Sequence, residues 1–352
     1  MSMIPTSFFV MGIASFFFKV IHILLLTNLS MAVPASVNRA AALEINKAGP
    51  YIGLIMADQT EEQTLLAAGV FLPCAINPWL DFSGRRFNIG SINGQKIIYV
   101  RCGQRRLNAG VTTQMLIDLF DIAGVVHYGT AGNANNSLSI GDVSVPKYIA
   151  YTGSWKWTKF GTKMVGDQLG YLHFGNYDVP VGNKTNLLSN IVFQPEEFFS
   201  ENSEMQEIFW LEATRKWFYT ASKLEGLKLE GCVNSTFCLP EPPKVVVGLN
   251  ASSADIFVDN AAFRGFLFNH FQVASVDEES AAIAMICQSS NLPVIVFRGL
   301  SDLAGGDKEN VSSMFSSLAA KNALTAAIAF LSLLQHATEG GGVPNALQLV
   351  DT

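Results

Sequence analysis

The stretch that decides the fold runs from Val273 to Asp307, VASVDEESAAIAMICQSSNLPVIVFRGLSDLAGGD. It opens with three consecutive carboxylates, Asp277 to Glu279, and continues as an apolar run of helical character that ends before Pro293. Four strand-forming residues, Val294 to Phe297, lead into a polar group that contains Asp302. A continuous apolar strand is typical of an α/β sheet buried on both faces. Ligands of such sheets bind beyond the carboxyl ends of the strands, so we expect the chemistry near Asp302.

The rest of the chain repeats this alternation of strands and helices. Buried strands are predicted at Tyr51–Met56, Gln95–Val100 and from Val125 onward, and a helix over Leu107–Phe120. After a looser, tryptophan-containing segment at 152–243, Val245–Val247 resumes the sheet, and a long apolar helix covers Met314–Leu334. The order predicts an α/β fold, with 152–243 as an insertion in a domain spanning 36–335.

Composition limits the class of ligand. The chain has 352 residues, 49% of them apolar and 15% charged, with a formal charge of −6 from 23 Lys and Arg and 29 Asp and Glu. No basic block is present, which argues against a nucleic-acid partner, since phosphate backbones are bound by clustered Lys and Arg. No CxxC pair or His/Cys cluster suggests a metal. A small molecule is the expected ligand.

The first residues indicate entry into the secretory pathway. The segment 8–26 is almost wholly apolar, and small residues follow at Ala32 and Ala35, as at a signal-peptidase site. We therefore predict a signal peptide over residues 1–35, with an uncleaved anchor as the alternative, and no stable membrane partner once it is removed. Residues 336–352 are expected to form a flexible tail. The compartment would be vacuolar or extracellular.

Two other features fit an oxidising compartment. Beyond the predicted signal peptide, N-x-S/T triplets begin at Asn135, Asn183, Asn234, Asn250 and Asn310, and predict a glycoprotein. Cys232 and Cys238 lie close together in a turn-rich stretch, where they can form a small disulfide loop; free thiols are the alternative.

Seven short motifs in order resemble the nucleoside phosphorylase and methylthioadenosine nucleosidase superfamily, most closely its plant bark and vegetative storage protein branch. They are Gly103–Asn108, Thr112–Gln114, Gly129–Gly132, Ile140–Val143, Ser253–Phe257, Val276–Glu279 and Ser301–Asp302. The resemblance implies a three-layer α/β/α sandwich with a mixed central sheet. It also implies a homo-oligomer that cleaves purine-type nucleosides, with cytokinin ribosides among the candidates. The alternative is a nitrogen-storage protein on the same fold with weak activity or none.

The resemblance also implies roles for single residues. Asp302 matches the acid that protonates the departing base, and Ser301 lies beside it in the motif. Glu279 matches the carboxylate that binds the two ribose hydroxyls. Phe257 matches the aromatic residue that stacks on the base. Glu278 stands where the nucleosidases usually have methionine, and this departure leaves the substrate open.

The nucleophile has two candidates. For hydrolysis, Glu61 lies nearest the glutamate that activates water in hydrolytic members. For phosphorolysis, with inorganic phosphate as co-substrate and no other cofactor, Gly129 and Thr130 would supply amides and a hydroxyl, and His127 and Arg106 the positive charge. Protonated His127 would then raise activity below about pH 6.5. The sequence slightly favours phosphorolysis.

Overall fold

The computed structural model describes residues 35–158, 169–173, 190–201, 203–306 and 311–339. Its strands, in chain order, are β1 Tyr51–Met56, β2 Phe71–Pro73, β3 Trp79–Phe82, β4 Arg85–Ile92, β5 Gln95–Arg101, β6 Ile122–Asn133, β7 Val143–Val145, β8 Tyr148–Tyr151, β9 Trp155–Trp157, β10 Tyr171–His173, β11 Asn190–Phe193, β12 Glu196–Phe198, β13 Gln206–Ile208, β14 Trp210–Glu212, β15 Cys232–Asn234, β16 Phe237–Cys238, β17 Val245–Val247, β18 Asn250–Ser253, β19 Val273–Asp277 and β20 Val294–Leu303. Its α-helices are α1 Ala35–Asn46, α2 Gln59–Ala68, α3 Arg106–Leu119, α4 Arg215–Ala221, α5 Ala261–Phe271, α6 Ser280–Ser289 and α7 Val311–Glu339.

Within these ranges the central sheet has 13 strands. Its main path runs β14-β8-β18-β19-β6-β1-β5-β4-β2, and β20 pairs with both β6 and β7. Strand β1 is parallel to β5 and β6, and β20 is parallel to β6, whereas β4 is antiparallel to β5. The mixed sheet with helices on both sides confirms the predicted fold class.

Strand β1 shows how the two faces of the sheet are covered. Successive side chains of a strand point to opposite faces, so Leu54 and Ile55 enter different cores. Leu54 packs in the core that contains Phe330 of α7. Ile55 packs in the core that contains Leu116 of α3 and Ile283 of α6. Because both faces are buried, the strand is apolar without alternation.

Strand β20 is longer than predicted. Four strand residues were expected, but pairing with β6 continues from Val294 to Leu303, with a register shift between Leu300 and Asp302. The polar residues do not end the strand because their backbone groups still pair with β6, and carboxylates bind the buried side chain of Arg298. Asp302 consequently lies on the last part of a sheet strand.

Helix α7 is long and apolar enough over Phe315–Gln335 to cross a membrane by length and composition alone. More than half of this segment is buried, and Ala323 and Phe330 are fully covered by the core. The apolar surface is therefore accounted for by packing on the sheet. The contact is close: a Cβ atom at Gly299 of β20 would collide with the Ala319 carbonyl of α7.

The described part of the segment 152–243 contains three small sheets, β10-β11-β9, β12-β13 and β15-β16, while β14 joins the edge of the central sheet beside β8. The structure joins Cys232 to Cys238 by a disulfide across the β15–β16 hairpin. Phe237 of this hairpin stacks on Phe315 of α7, with ring centroids 5.0 Å apart. The predicted signal peptide, apart from Ala35, lies outside the described residues, as does the tail beyond residue 339.

Candidate active site

One pocket collects most of the predicted site residues. It lies at the carboxyl ends of β1, β19 and β20, beside the last part of β6, as expected for ligands of an α/β sheet. The lining residues, which we call the acidic pocket, are Ala57, Asp58, Glu61, Gln104, Thr130, Ala131, Gly132, Ile256, Phe257, Val258, Val276, Asp277, Glu278, Glu279, Ser301 and Asp302. In the described part of the chain, no lysine or arginine is among them.

Glu61 lies where β1 turns into α2, and hydrogen bonds hold its carboxylate in place. Asp58 caps the helix and forms a capping box with Glu61, whose carboxylate accepts hydrogen bonds from the amides of Ala57 and Asp58 at 2.7 and 3.2 Å. The other carboxylate oxygen accepts the Thr130 amide at 2.7 Å and lies 3.3 Å from the Thr130 hydroxyl. Burial raises the pKa of Glu61, and nearby Arg298 opposes the rise.

Gly129 is required because the Glu61 carboxylate lies close to the backbone of β6 at this position. A Cβ atom at this position would collide with the Glu61 carboxylate and with the guanidinium of Arg298. The glycine therefore lets an acidic and a basic side chain meet at the backbone of β6. The amide and hydroxyl of Thr130, which the sequence suggested for phosphate, are bound to Glu61 in this structure.

Glu279 lies on the opposite side of the same charge cluster, at the start of α6. Its carboxylate accepts the Arg105 amide at 2.8 Å and the Arg298 Nη2 at 3.1 Å. Burial raises the pKa of Glu279 to about 7, although Arg298 opposes that shift. Each carboxylate oxygen has two lone pairs, so acceptor capacity remains for a ligand.

Arg298 belongs to the candidate site, although the sequence predicted no role for it. It is fully buried and donates from Nε to Asp277 at 3.0 Å and from Nη1 to the Thr130 carbonyl at 3.3 Å. A buried arginine needs carboxylate partners, and Asp277 and Glu279 supply them. A signal was present: one arginine at the end of an apolar strand and three adjacent carboxylates in the same stretch.

Asp277 binds the side chain of Arg298. It accepts hydrogen bonds from the hydroxyls of Ser253 and Ser280 and from the amides of Glu279 and Ser280. Burial works against ionisation, but Arg298 and these donors hold the pKa of Asp277 below its usual value. Asp277 is therefore a buried anion that fixes the arginine.

Asp302 lies on another wall of the acidic pocket. Its carboxylate accepts the Ser301 hydroxyl at 2.6 Å, and that hydroxyl is also 3.3 Å from the Ala131 carbonyl. Burial raises the pKa of Asp302, with the Ser301 hydrogen bond opposing. A carboxyl that keeps its proton to higher pH can act as a general acid.

Phe257 lines the pocket from the loop after β18 and is 72% exposed. An exposed phenyl ring at a pocket wall leaves a face free for a flat ligand. The structure therefore gives Phe257 no packing role in the core, which was the ordinary alternative for a phenylalanine in an apolar context.

The structure does not bring His127 to the pocket. The imidazole is fully buried three residues before Thr130, about 10 Å along the strand, and its Nδ1 is 3.0 Å from the Ile55 carbonyl. Burial, and then Arg298, lower the pKa of His127 to about 3. The rise in activity that we expected from a protonated His127 does not follow from this geometry.

Arg106 also lies away from the acidic pocket, in a neighbouring groove. Its guanidinium is 4.0 Å above the ring of Tyr151 and within 3.7 Å of Glu196 and Asp255. With two carboxylates and an aromatic face as neighbours, Arg106 is not a free cation for phosphate.

Comparisons with known proteins agree with the fold. A family profile described as the Phosphorylase superfamily matches residues 51–335, so the chain belongs to this superfamily. It is 36% identical to bark storage protein A of Populus deltoides over 283 residues, which are 80% of this chain and 88% of the relative. It is 23% identical to a 5′-methylthioadenosine/S-adenosylhomocysteine nucleosidase of Shewanella loihica, covering 82% of this chain and 95% of that protein.

Solved structures show the same fold. A Helicobacter pylori 5′-methylthioadenosine/S-adenosylhomocysteine nucleosidase with a bound butyl-thio-DADMe-Immucillin-A superposes with a TM-score of 0.55 at 19% identity, covering 82% of this chain and 99% of that chain. The futalosine hydrolase of Helicobacter pylori superposes with a TM-score of 0.54 at 20% identity, covering 82% and 97%.

Proposed function

We propose that this protein cleaves the N-glycosidic bond of a purine-type nucleoside and releases the free base. The observation that supports this proposal is that Asp302, Glu279 and Glu61 line one pocket, each with a different set of hydrogen-bond partners. Relatives whose names describe them as nucleosidases share the fold over most of the chain.

Protonation of the base by an acid would assist its departure. Asp302, with its raised pKa, would protonate the departing purine, and Phe257 would stack on it. Glu279 would accept hydrogen bonds from the two adjacent ribose hydroxyls with its remaining lone pairs.

The charge of the pocket suits this reaction. Bond cleavage builds positive charge on the sugar, and fixed negative groups stabilise that charge. The carboxylates of the acidic pocket are Asp58, Glu61, Asp277, Glu278, Glu279 and Asp302. Their buried counter-charge is Arg298, which is shared between Asp277 and Glu279.

We propose water rather than phosphate as the nucleophile, which reverses the slight preference from sequence. A phosphate at this position would compete with the Glu61 carboxylate for the amide and hydroxyl of Thr130. It would also enter a pocket with an excess of negative charge and without His127 or Arg106. Glu61, whose pKa burial raises, would act as the base that activates water.

The test is the sugar product. Purified protein is incubated with adenosine, inosine and cytokinin ribosides, with and without inorganic phosphate. We expect free ribose at a rate that phosphate does not change, and a loss of about 10²-fold or more in Glu61→Gln. Ribose 1-phosphate formed only when phosphate is present would refute the hydrolytic proposal.

A storage role is the second candidate, because the bark storage proteins are related at 36% and 35% identity. Absence of base release from every riboside would favour it. The presence of Asp302, Glu279 and Glu61 in one pocket supports catalysis instead.

A further inference from the structure

Glu278 is the carboxylate of the acidic pocket whose internal partner is weakest. Its side chain is only 15% exposed, yet its ion-pair partner among the described residues is Arg105, at 3.7 Å from Nε. That separation is longer than a hydrogen bond, and the Arg105 side chain is 66% exposed. A half-buried carboxylate with one loose, solvated partner retains acceptor capacity.

The carboxylates of its two neighbours in sequence accept more hydrogen bonds from the protein. Asp277 accepts Arg298 and four other donors, and Glu279 accepts Arg298 and the Arg105 amide. Arg105 itself has φ 76°, a left-handed conformation unusual for a residue other than glycine. This conformation accompanies an amide that points at Glu279 and a guanidinium near Glu278.

Glu278 and Asp302 line the acidic pocket with different neighbours. The charged groups that act on Glu278 are Arg105, Asp255 and Asp277. Asp302 instead accepts a hydrogen bond from the Ser301 hydroxyl, and the charged group that acts on it is Asp259. Arg105 contacts Glu278 through its guanidinium and Glu279 through its amide, so we assign Glu278 to the sugar side of the pocket together with Glu279.

Resting on the function proposed above, we propose that Glu278 accepts a hydrogen bond from the 5′ position of the sugar. A ribonucleoside sugar carries donors at the 2′, 3′ and 5′ positions, and Glu279 serves the first two. The substrate class is then a nucleoside with a 5′-hydroxyl or 5′-amino group. A 5′-alkylthio group has no donor and would bury Glu278 without compensation.

The experiment measures binding rather than turnover. Carbon-linked analogues of adenosine and inosine, which cannot be cleaved, are titrated calorimetrically beside their 5′-deoxy counterparts. We expect the wild type to prefer the 5′-hydroxy form by about tenfold or more. In Glu278→Met the preference should fall to about twofold or less, and Glu278→Gln, which keeps an acceptor oxygen, should lie between.

The matched control is Glu196→Gln. Glu196 also lies 3.7 Å from an arginine, Arg106, but lines the neighbouring groove, so this variant should keep the wild-type preference. Equal wild-type affinity for the 5′-hydroxy and 5′-deoxy forms, or an undiminished preference in Glu278→Met, would overturn the role of Glu278 alone. If no analogue binds, the proposed function fails and this inference with it. If Glu278→Met does not fold, Glu278→Gln decides.

Discussion

At the scale of single residues, burial raises the pKa of several carboxyl groups in the acidic pocket, and neighbouring positive charges and hydrogen-bond donors offset only part of that rise. Asp302, Glu61 and Glu279 all have a raised pKa with burial as the first cause, whereas Asp277 is held ionised by Arg298 and hydroxyl donors. Because different surroundings give carboxyl groups different pKa values, side chains of the same type can serve as acid and as base.

Asp302→Asn should keep the fold and lower kcat by about 10²-fold or more, because the amide cannot donate the proton that the base needs. The measurement is steady-state base release together with a thermal melt. Asp259→Asn is the control, since this exposed carboxylate acts on Asp302 but lies outside the acidic pocket. Wild-type turnover in a folded Asp302→Asn protein would contradict the acid role.

Glu279 should make sugar selectivity depend on pH. With a pKa of about 7, it is neutral below that pH and ionised above it, and the ionised form accepts the two ribose hydroxyls more strongly. The ratio of kcat/KM for ribosides to that for 2′-deoxyribosides should rise severalfold between about pH 6 and pH 8. In Glu279→Gln the ratio should be low and flat. A pH-independent wild-type ratio would show that Glu279 does not bind the diol.

Arg298 should be essential for stability as well as for the site. Arg298→Met leaves Asp277 and Glu279 buried without their counter-charge, and should lower the free energy of unfolding by about 3–5 kcal/mol. Adding Asp277→Asn should recover part of that loss, because one uncompensated charge is removed. Urea unfolding of both single variants and the double variant measures the coupling. Independent, additive effects would argue against the ion pair as the cause.

At the level of elements, the position of each asparagine in the fold decides whether its side chain is accessible for glycosylation. The β15–β16 hairpin, closed by the disulfide, exposes Asn234, and the carboxamide oxygen of Asn234 accepts the amide and hydroxyl of Thr236 at 3.0 Å. Asn135 is instead buried, and the amide group of Asn250 donates to the Phe271 carbonyl. The three N-x-S/T triplets therefore lie in three different structural environments.

We expect Asn234 to carry the N-linked glycan among these three sites when the chain passes through the secretory pathway. Glycosidase treatment should shift the mass of secreted wild-type protein, and peptide mapping should find the glycan on the hairpin. Asn234→Gln should remove that glycopeptide, whereas Asn250→Gln should not change the glycan pattern. A glycan mapped to Asn135 or Asn250 would contradict the structural argument.

At the scale of the whole molecule, stability depends on how closely the helical layers approach the sheet. Gly299→Ala should destabilise the fold by about 1–3 kcal/mol, because the added methyl group meets the Ala319 carbonyl of α7. Gly265→Ala in α5 is the matched control: nothing lies within 4 Å of its Cβ position, so removing a helical glycine should stabilise by about 0.5–1 kcal/mol. Thermal or urea unfolding compares the two. Equal effects would refute the close approach.

The sequence alone determined the elements whose signals are local. Tyr51–Met56 is a strand with the predicted bounds, and the helix expected over Leu107–Phe120 is α3, shifted by one residue at each end. Runs of apolar residues and their spacing define these elements, since both periods are set by backbone geometry. The mixed sheet and the superfamily followed instead from the resemblance carried by the order of the seven motifs.

Only the tertiary structure decided which polar residues meet. Arg298 joins Asp277 and Glu279 under the pocket, while His127 remains in the core and Arg106 turns to Glu196 and Asp255. Strand pairing, side-chain direction and burial fix these contacts between residues up to about 170 positions apart, as between Arg105 and Glu279. None of these quantities is encoded by local periodicity, so the sequence named the charged residues but could not say which of them neutralise one another.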